Sequence, residues 1–157
     1  MRLFILIAVL LSINNAFANE NSILNFDKLG FQIQAIEGKS DSSNTIPLTL
    51  MLPEMNGFSP SITVIMQPYK GKLENYKAVT EQQLKQLKVN KIYSEINNGT
   101  YTFEYSGLLN GQKLHVYSRA QLKDNQIYLT TATDLIIQWE LNKEKLVNAV
   151  NSFKFKK

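Results

Sequence analysis

Residues 89–134 read VNKIYSEINNGTYTFEYSGLLNGQKLHVYSRAQLKDNQIYLTTATD, and this stretch decides the fold. Asn98-Gly99 and Asn110-Gly111 are two-residue hairpin turns, because both central positions of such a turn need positive φ. Asp124-Asn125 makes a third turn of the same kind. The turns predict four antiparallel strands at 89–97, 100–109, 112–122 and 126–134. Within the second, Tyr101, Phe103 and Tyr105 fall on one face and Thr102, Glu104 and Ser106 on the other.

Two-residue turns pair residues symmetrically, so the turns alone set the register. Ile96 is expected opposite Tyr101 and Ile92 opposite Tyr105. Val116 then faces Tyr105, Ala120 faces Tyr101, Leu129 faces Ala120 and Ile127 faces Leu122. Apolar residues fall mostly on one face in all four strands, as a shared buried face requires.

Working outward, residues 31–36, 48–52 and 61–67 read as further strands. Ile62 to Met66 is almost continuously apolar, the pattern of a strand covered on both sides. GKSDSSNT at 38–45 and residues 53–60, bounded by Pro53 and Pro60, read as loops. A helix is predicted at about 73–88, where Leu73, Tyr76, Thr80, Leu84 and Leu87 follow helical spacing. A second is predicted at about 143–151, with Asn142 as N-cap and Leu146, Val147 and Val150 as its apolar face. No repeat, heptad run or low-complexity segment interrupts this order.

PSITVIMQP, the helix LENYKAVTEQQLKQ, the paired hairpins and a terminal helix closing on NSFK together resemble the PsbP/Mog-like superfamily, in its bacterial secreted DcrB-type branch. The resemblance covers roughly residues 30–155. It implies an α+β fold, an antiparallel sheet of six to seven strands packed between helices as an α/β/α sandwich. Ile62, Val64, Tyr76, Leu84 and Phe153 would be core positions. It carries no catalytic signature, and its residues inform the fold rather than the function.

Residues 1–18, MRLFILIAVLLSINNAFA, have the form of a cleavable secretory signal, with Arg2, an apolar stretch and Ala16-Phe17-Ala18 before the expected cleavage. Residues 19–157 are then expected to form one domain, periplasmic or secreted. The chain has no cysteine, so neither a lipoprotein anchor nor a disulfide framework is available to it. A domain of this length builds an adequate core without either. The net charge of +4 falls to +3 when Arg2 leaves with the signal. Its lysines are scattered among acids with no aromatic stacking array, which argues for solvated surface rather than nucleic-acid binding.

The register places Ser106 opposite His115 and His115 opposite Asp134, and Ser–His–Asp adjacency raises the question of a serine hydrolase. No Gly-x-Ser-x-Gly elbow presents the serine, and Ser106 lies in a regular strand. His115 is the single histidine, so the usual histidine–cysteine metal sites cannot be assembled. No glycine-rich phosphate loop or calcium loop is present. No cofactor is expected.

Tyr93, Glu104, His115, Tyr117, Arg119 and Tyr128 share the sheet face opposite Tyr105 and are the candidate binding residues. Aromatic rings and arginine carry much of the energy of protein interfaces. The competing structural reading buries these rings under a helix, with Trp139 as a packing anchor. The sequence thus predicts a non-enzymatic domain that binds another envelope protein, with no stable membrane anchor. The alternative is a carrier or sensor for a small apolar ligand held between sheet and helix, and hydrolysis is the remotest reading. A closed cavity of several hundred cubic ångströms would favour the ligand; an exposed aromatic patch would favour the protein partner.

Overall fold

The computed structural model describes residues 23–36, 39–41 and 48–156, so the expected signal at 1–18 lies outside the described residues. In chain order the strands are β1 (Ile23–Phe26), β2 (Phe31–Gln34), β3 (Lys39–Asp41), β4 (Leu48–Met51) and β5 (Ser61–Pro68). Helix α1 (Leu73–Gln86) follows, then β6 (Asn90–Asn97), β7 (Thr100–Leu109), β8 (Gln112–Lys123) and β9 (Gln126–Leu135). Helix α2 (Trp139–Ser152) and β10 (Lys154–Phe155) close the chain.

The main sheet is antiparallel, in the order β3-β4-β5-β9-β8-β7-β6, and a small sheet has the order β1-β2-β10. Alternation gives the main sheet two faces. One carries Ile62, Val64, Tyr128 and Ala132, which pack against α2 and the small sheet through Phe31, Ile33, Leu146, Val150 and Phe153. The other carries Tyr101, Phe103, Ala120 and Ile127 beneath Leu73 and Leu84 of α1. The result is the expected α+β arrangement of an antiparallel sheet between helices. Ile62 and Val64 are completely buried and Ile65, on the opposite face, is 6% exposed, as the apolar run predicted.

The three turns hold their φ values where expected: Asn98 +48° and Gly99 +72°, Asn110 +49° and Gly111 +79°, Asp124 +51° and Asn125 +58°. Val116 faces Tyr105, Ala120 faces both Tyr101 and Leu129, and Leu122 faces Ile127. Ile96 faces Tyr101, but the expected pair Ile92–Tyr105 does not form. A bulge at Ile92 brings Lys91 opposite Tyr105, leaving Ile92 48% exposed. Because a one-residue shift exchanges faces, the bulge turns Val89 toward the α1 side. There Val89 packs with Leu87, Leu109 and Leu114, and it crosses directly over Gly107.

A methyl group at Gly107 would stand 2.7 Å from Val89 Cγ1 and 3.2 Å from its Cα, so backbone as well as side chain resists it. Gly107→Ala is expected to destabilise the protein by about 1–3 kcal/mol in urea unfolding. Adding Val89→Ala should recover part of that loss, since the two sites share one contact.

Other elements depart from expectation in instructive ways. Lys39–Asp41, placed in a polar loop by sequence, pairs as an edge strand with Thr49–Met51, and an edge needs no apolar alternation. Helix α1 ends at Gln86 rather than near Lys88, where Lys88 takes φ +55° and turns the chain. Helix α2 begins at Trp139, four residues before the expected start, and Asn142 is not its cap. Trp139 supplies a first buried turn ahead of Leu146 and Val150, while the Asn142 side-chain amide donates to Asp134.

Candidate functional site

Residues of equal parity on β6, β7, β8 and β9 bring Tyr93, Glu104, His115, Tyr117, Arg119 and Tyr128 onto the α2 side of the sheet. Helix α2 divides this face. Tyr128 lies under the helix and small sheet, 8% exposed, with Phe31, Phe153 and Phe155 around its ring. His115 is also covered: its imidazole stacks on the Trp139 indole at 4.0 Å with an interplanar angle of 11°. Its Nε2 lies 2.6 Å from Glu104 Oε1, and both side chains are largely shielded from solvent.

Beyond the C-terminal end of α2 the face opens. The Tyr117 hydroxyl donates to Asn151 Oδ1 at 3.0 Å, and Arg119 Nη1 donates to the Asn151 carbonyl at 3.1 Å. A guanidinium there complements the negative end of the helix. Tyr93, on the edge strand, is 41% exposed, and its hydroxyl donates to Glu95 Oε2 at 2.5 Å. That hydrogen bond, together with the Glu95 charge, holds the Tyr93 phenol above its usual pKa. At Tyr117 burial raises the pKa, opposed by Arg119 and Asn151. Between these groups lies an open concavity of about 630 Å³, lined by Tyr93, Asn97, Thr102, Glu104, Tyr117 and Arg119.

Asn97, Asn98, Thr100, Thr102 and Asn151 also border the concavity, and sequence reasoning did not single them out. Thr100 and Thr102 share the parity of Glu104 and could have been found by that rule. Asn151 carries no such signal, because its place depends on where α2 docks.

The Ser106–His115–Asp134 alignment exists at the level of backbone pairing. The side chains do not join into a relay. His115 is turned to Glu104, and Asp134, fully buried, is engaged elsewhere. Asp134 Oδ1 accepts from the Leu135 backbone N–H and from Gln138 Nε2, both at 2.7 Å, and Oδ2 accepts from Asn142 at 2.9 Å. This network ties the end of β9 to the first turns of α2. Among the described residues no cluster of three or more His, Cys, Asp or Glu side chains could hold a metal ion, and no helix is long and apolar enough to cross a membrane.

The fold and site define an α+β domain with a helix-divided polar-aromatic sheet face. Its fold is PsbP-like. The solution structure of cyanobacterial PsbP (CyanoP) from Synechocystis superposes with a TM-score of 0.63 at 11% identity, over 92% of this chain and 97% of that one. PA94, a Pseudomonas aeruginosa protein of unknown function, gives 0.54 at 11% identity, over 81% and 91%. LpqN of Mycobacterium tuberculosis, described as involved in cell envelope biogenesis, gives 0.54 at 12% identity, over 88% and 87%. No family model and no curated protein sequence matches the chain.

Proposed function

We propose that this protein is a non-catalytic accessory component of the cell envelope. In this reading residues 1–18 direct export and are removed, and residues 19–157 act as one soluble periplasmic or secreted domain that docks an envelope protein. The observation that carries the reading is the open half of the polar-aromatic face. Tyr93, Tyr117, Glu104 and Arg119 surround a concavity that α2 leaves uncovered. An exposed aromatic beside a positioned guanidinium is the composition that supplies binding energy at protein interfaces. The separate engagements of His115 and Asp134 argue against hydrolysis. The envelope role described for LpqN supports the assigned compartment.

Crosslinking in intact cells followed by affinity purification tests the proposal. Tyr93→Ala combined with Thr102→Arg removes the exposed ring and sets a bulky second cation in the concavity, while Tyr117 and Asn151 of the α2 contact are left unchanged. Recovery of a specific envelope partner is expected to fall at least about tenfold, the effect of losing roughly 1.4 kcal/mol or more of binding energy. Unchanged recovery would contradict the docking site. The secreted product should begin at Asn19 on N-terminal sequencing, and a retained leader would overturn the proposed processing.

A further inference from the structure

The opposite face of the sheet holds a second feature, independent of partner docking. Helix α1 covers only part of this face, and a cleft of about 220 Å³ runs between the helix and strands β5, β9, β8 and β7. Leu84, Leu87, Phe103, Val116 and Leu129 give it apolar walls. None of its lining residues is Asp, Glu, Lys, Arg or His, although 19% of the chain is charged.

Its floor carries hydroxyl groups where a closed core would carry aliphatic ones. On β9, Thr131 and Thr133 occupy the inward parity between Leu129 and Leu135. Their partners on β5 are Thr63 and Ser61, so two rungs of paired hydroxyl residues cross the middle of the sheet. Ser118 extends the upper rung, its Oγ lying 3.0 Å from Thr131 Oγ1. Tyr105 lines the cleft from β7, and its hydroxyl makes no hydrogen bond among the described residues. Burial pushes that phenol up to about 12, so it stays a proton donor throughout the physiological range.

We propose that this cleft binds a small uncharged amphiphile, with an apolar body between α1 and the sheet and a hydroxyl or carbonyl group facing the Tyr105 and threonine hydroxyls. An ion would lose hydration there with no opposite charge to receive it. A purely apolar molecule would leave the hydroxyls without compensation. Size sets a further limit: a cavity of about 150 Å³ accommodates benzene, so this one suits a body of about ten non-hydrogen atoms. The chemistry therefore differs from the wholly apolar ligand that sequence considerations suggest.

Three probes of the same shape test the inference on the purified mature domain: 4-methylbenzyl alcohol, 4-methylbenzoate and 4-methylbenzylamine. NMR titration should show the alcohol binding with a Kd of about 1 mM or tighter. Both ions should bind at least about tenfold more weakly, because their charge would be buried unpaired. Tyr105→Phe should weaken the alcohol several-fold without unfolding the domain, and Thr63→Leu with Thr133→Leu should abolish binding by filling the floor. No binding of the alcohol, equal binding of the three probes, or affinity unaffected by Tyr105→Phe would overturn the proposal. Loss of partner recovery through Tyr93 would leave these titrations unchanged, so the two sites fail separately.

Discussion

Asp134→Ala is expected to destabilise the domain by about 2–4 kcal/mol, because a buried donor left without an acceptor costs about 1–3 kcal/mol and a partly exposed one less. Three donors converge on this carboxylate: the Leu135 backbone N–H, the Gln138 amide and the Asn142 amide. Asp134 and Gln138 are buried, so water does not replace the acceptor that the Gln138 amide loses, whereas Leu135 and Asn142 are partly exposed. The carboxylate also lies against the N-terminal turns of α2, where negative charge is favoured by the helix dipole. Asp134→Asn keeps the shape but converts one accepting oxygen into a donor, and should lie between wild type and alanine. Urea unfolding measures both. A loss below about 1 kcal/mol for alanine would show that apolar packing of α2, rather than this network, fixes the helix on the sheet.

Raising the pH from 10 towards 12 is expected to unfold the protein cooperatively. Burial pushes the phenols of Tyr76, Tyr101 and Tyr105 up to about 12 from the ordinary 10.0; neighbouring Tyr101 and Tyr69 add to the effect at Tyr76, while the Ser94 hydrogen bond opposes it at Tyr101. In the unfolded chain these groups lose their protons near 10, whereas in the folded chain they retain them. Their contribution to stability is therefore complete below pH 10 and is lost as pH rises through 12. Circular dichroism and phenolate absorbance should change together within this window. Tyr76→Phe with Tyr105→Phe should move the transition upward, because phenylalanine has no proton to lose. Smooth titration of all tyrosines near pH 10 with unchanged dichroism would contradict the burial of these rings.

The meander was legible because its information is local. Three dipeptides fix the turns, and the turns fix the pairing from Ile96–Tyr101 through Ile127–Leu122. The failure at Ile92 came from a competing demand: Val89 belongs in the core beside Leu109, and only a shift of face puts it there. Asn56-Gly57 offered a fourth signal of the same type inside a segment read as loop. It adopts φ +55° and +74° and supports the bridge between Met55 and Phe58. The two-residue strand β10 was invisible, since its pairing with β2 depends on where α2 ends. The start of α2 was misplaced because Trp139 lies about two helical turns before Leu146, where the aliphatic stripe that marked the helix begins.

The candidate site was legible as a face and not as a surface. Parity correctly put Tyr93, Glu104, His115, Tyr117, Arg119 and Tyr128 together, but parity carries no information about what lies above a strand. Helix α2 covers His115, while Phe31, Phe153 and Phe155 cover Tyr128. The helix ends at Ser152, just past Asn151, leaving the concavity beside Tyr93. The hydroxyl rungs under α1 obey the same rule. Thr131 and Thr133 were visible as inward positions on β9, yet the cleft exists only because α1 covers part of the opposite face.

Site-specific photocrosslinking most directly tests the docking role of the uncovered face. Benzoylphenylalanine at position 93 is expected to capture a specific envelope protein in living cells, and Thr102→Arg should abolish that adduct. The same probe at Val79, exposed on the outer surface of α1, should not give it. No adduct from position 93, an identical one from position 79, or an adduct indifferent to Thr102→Arg would contradict the account.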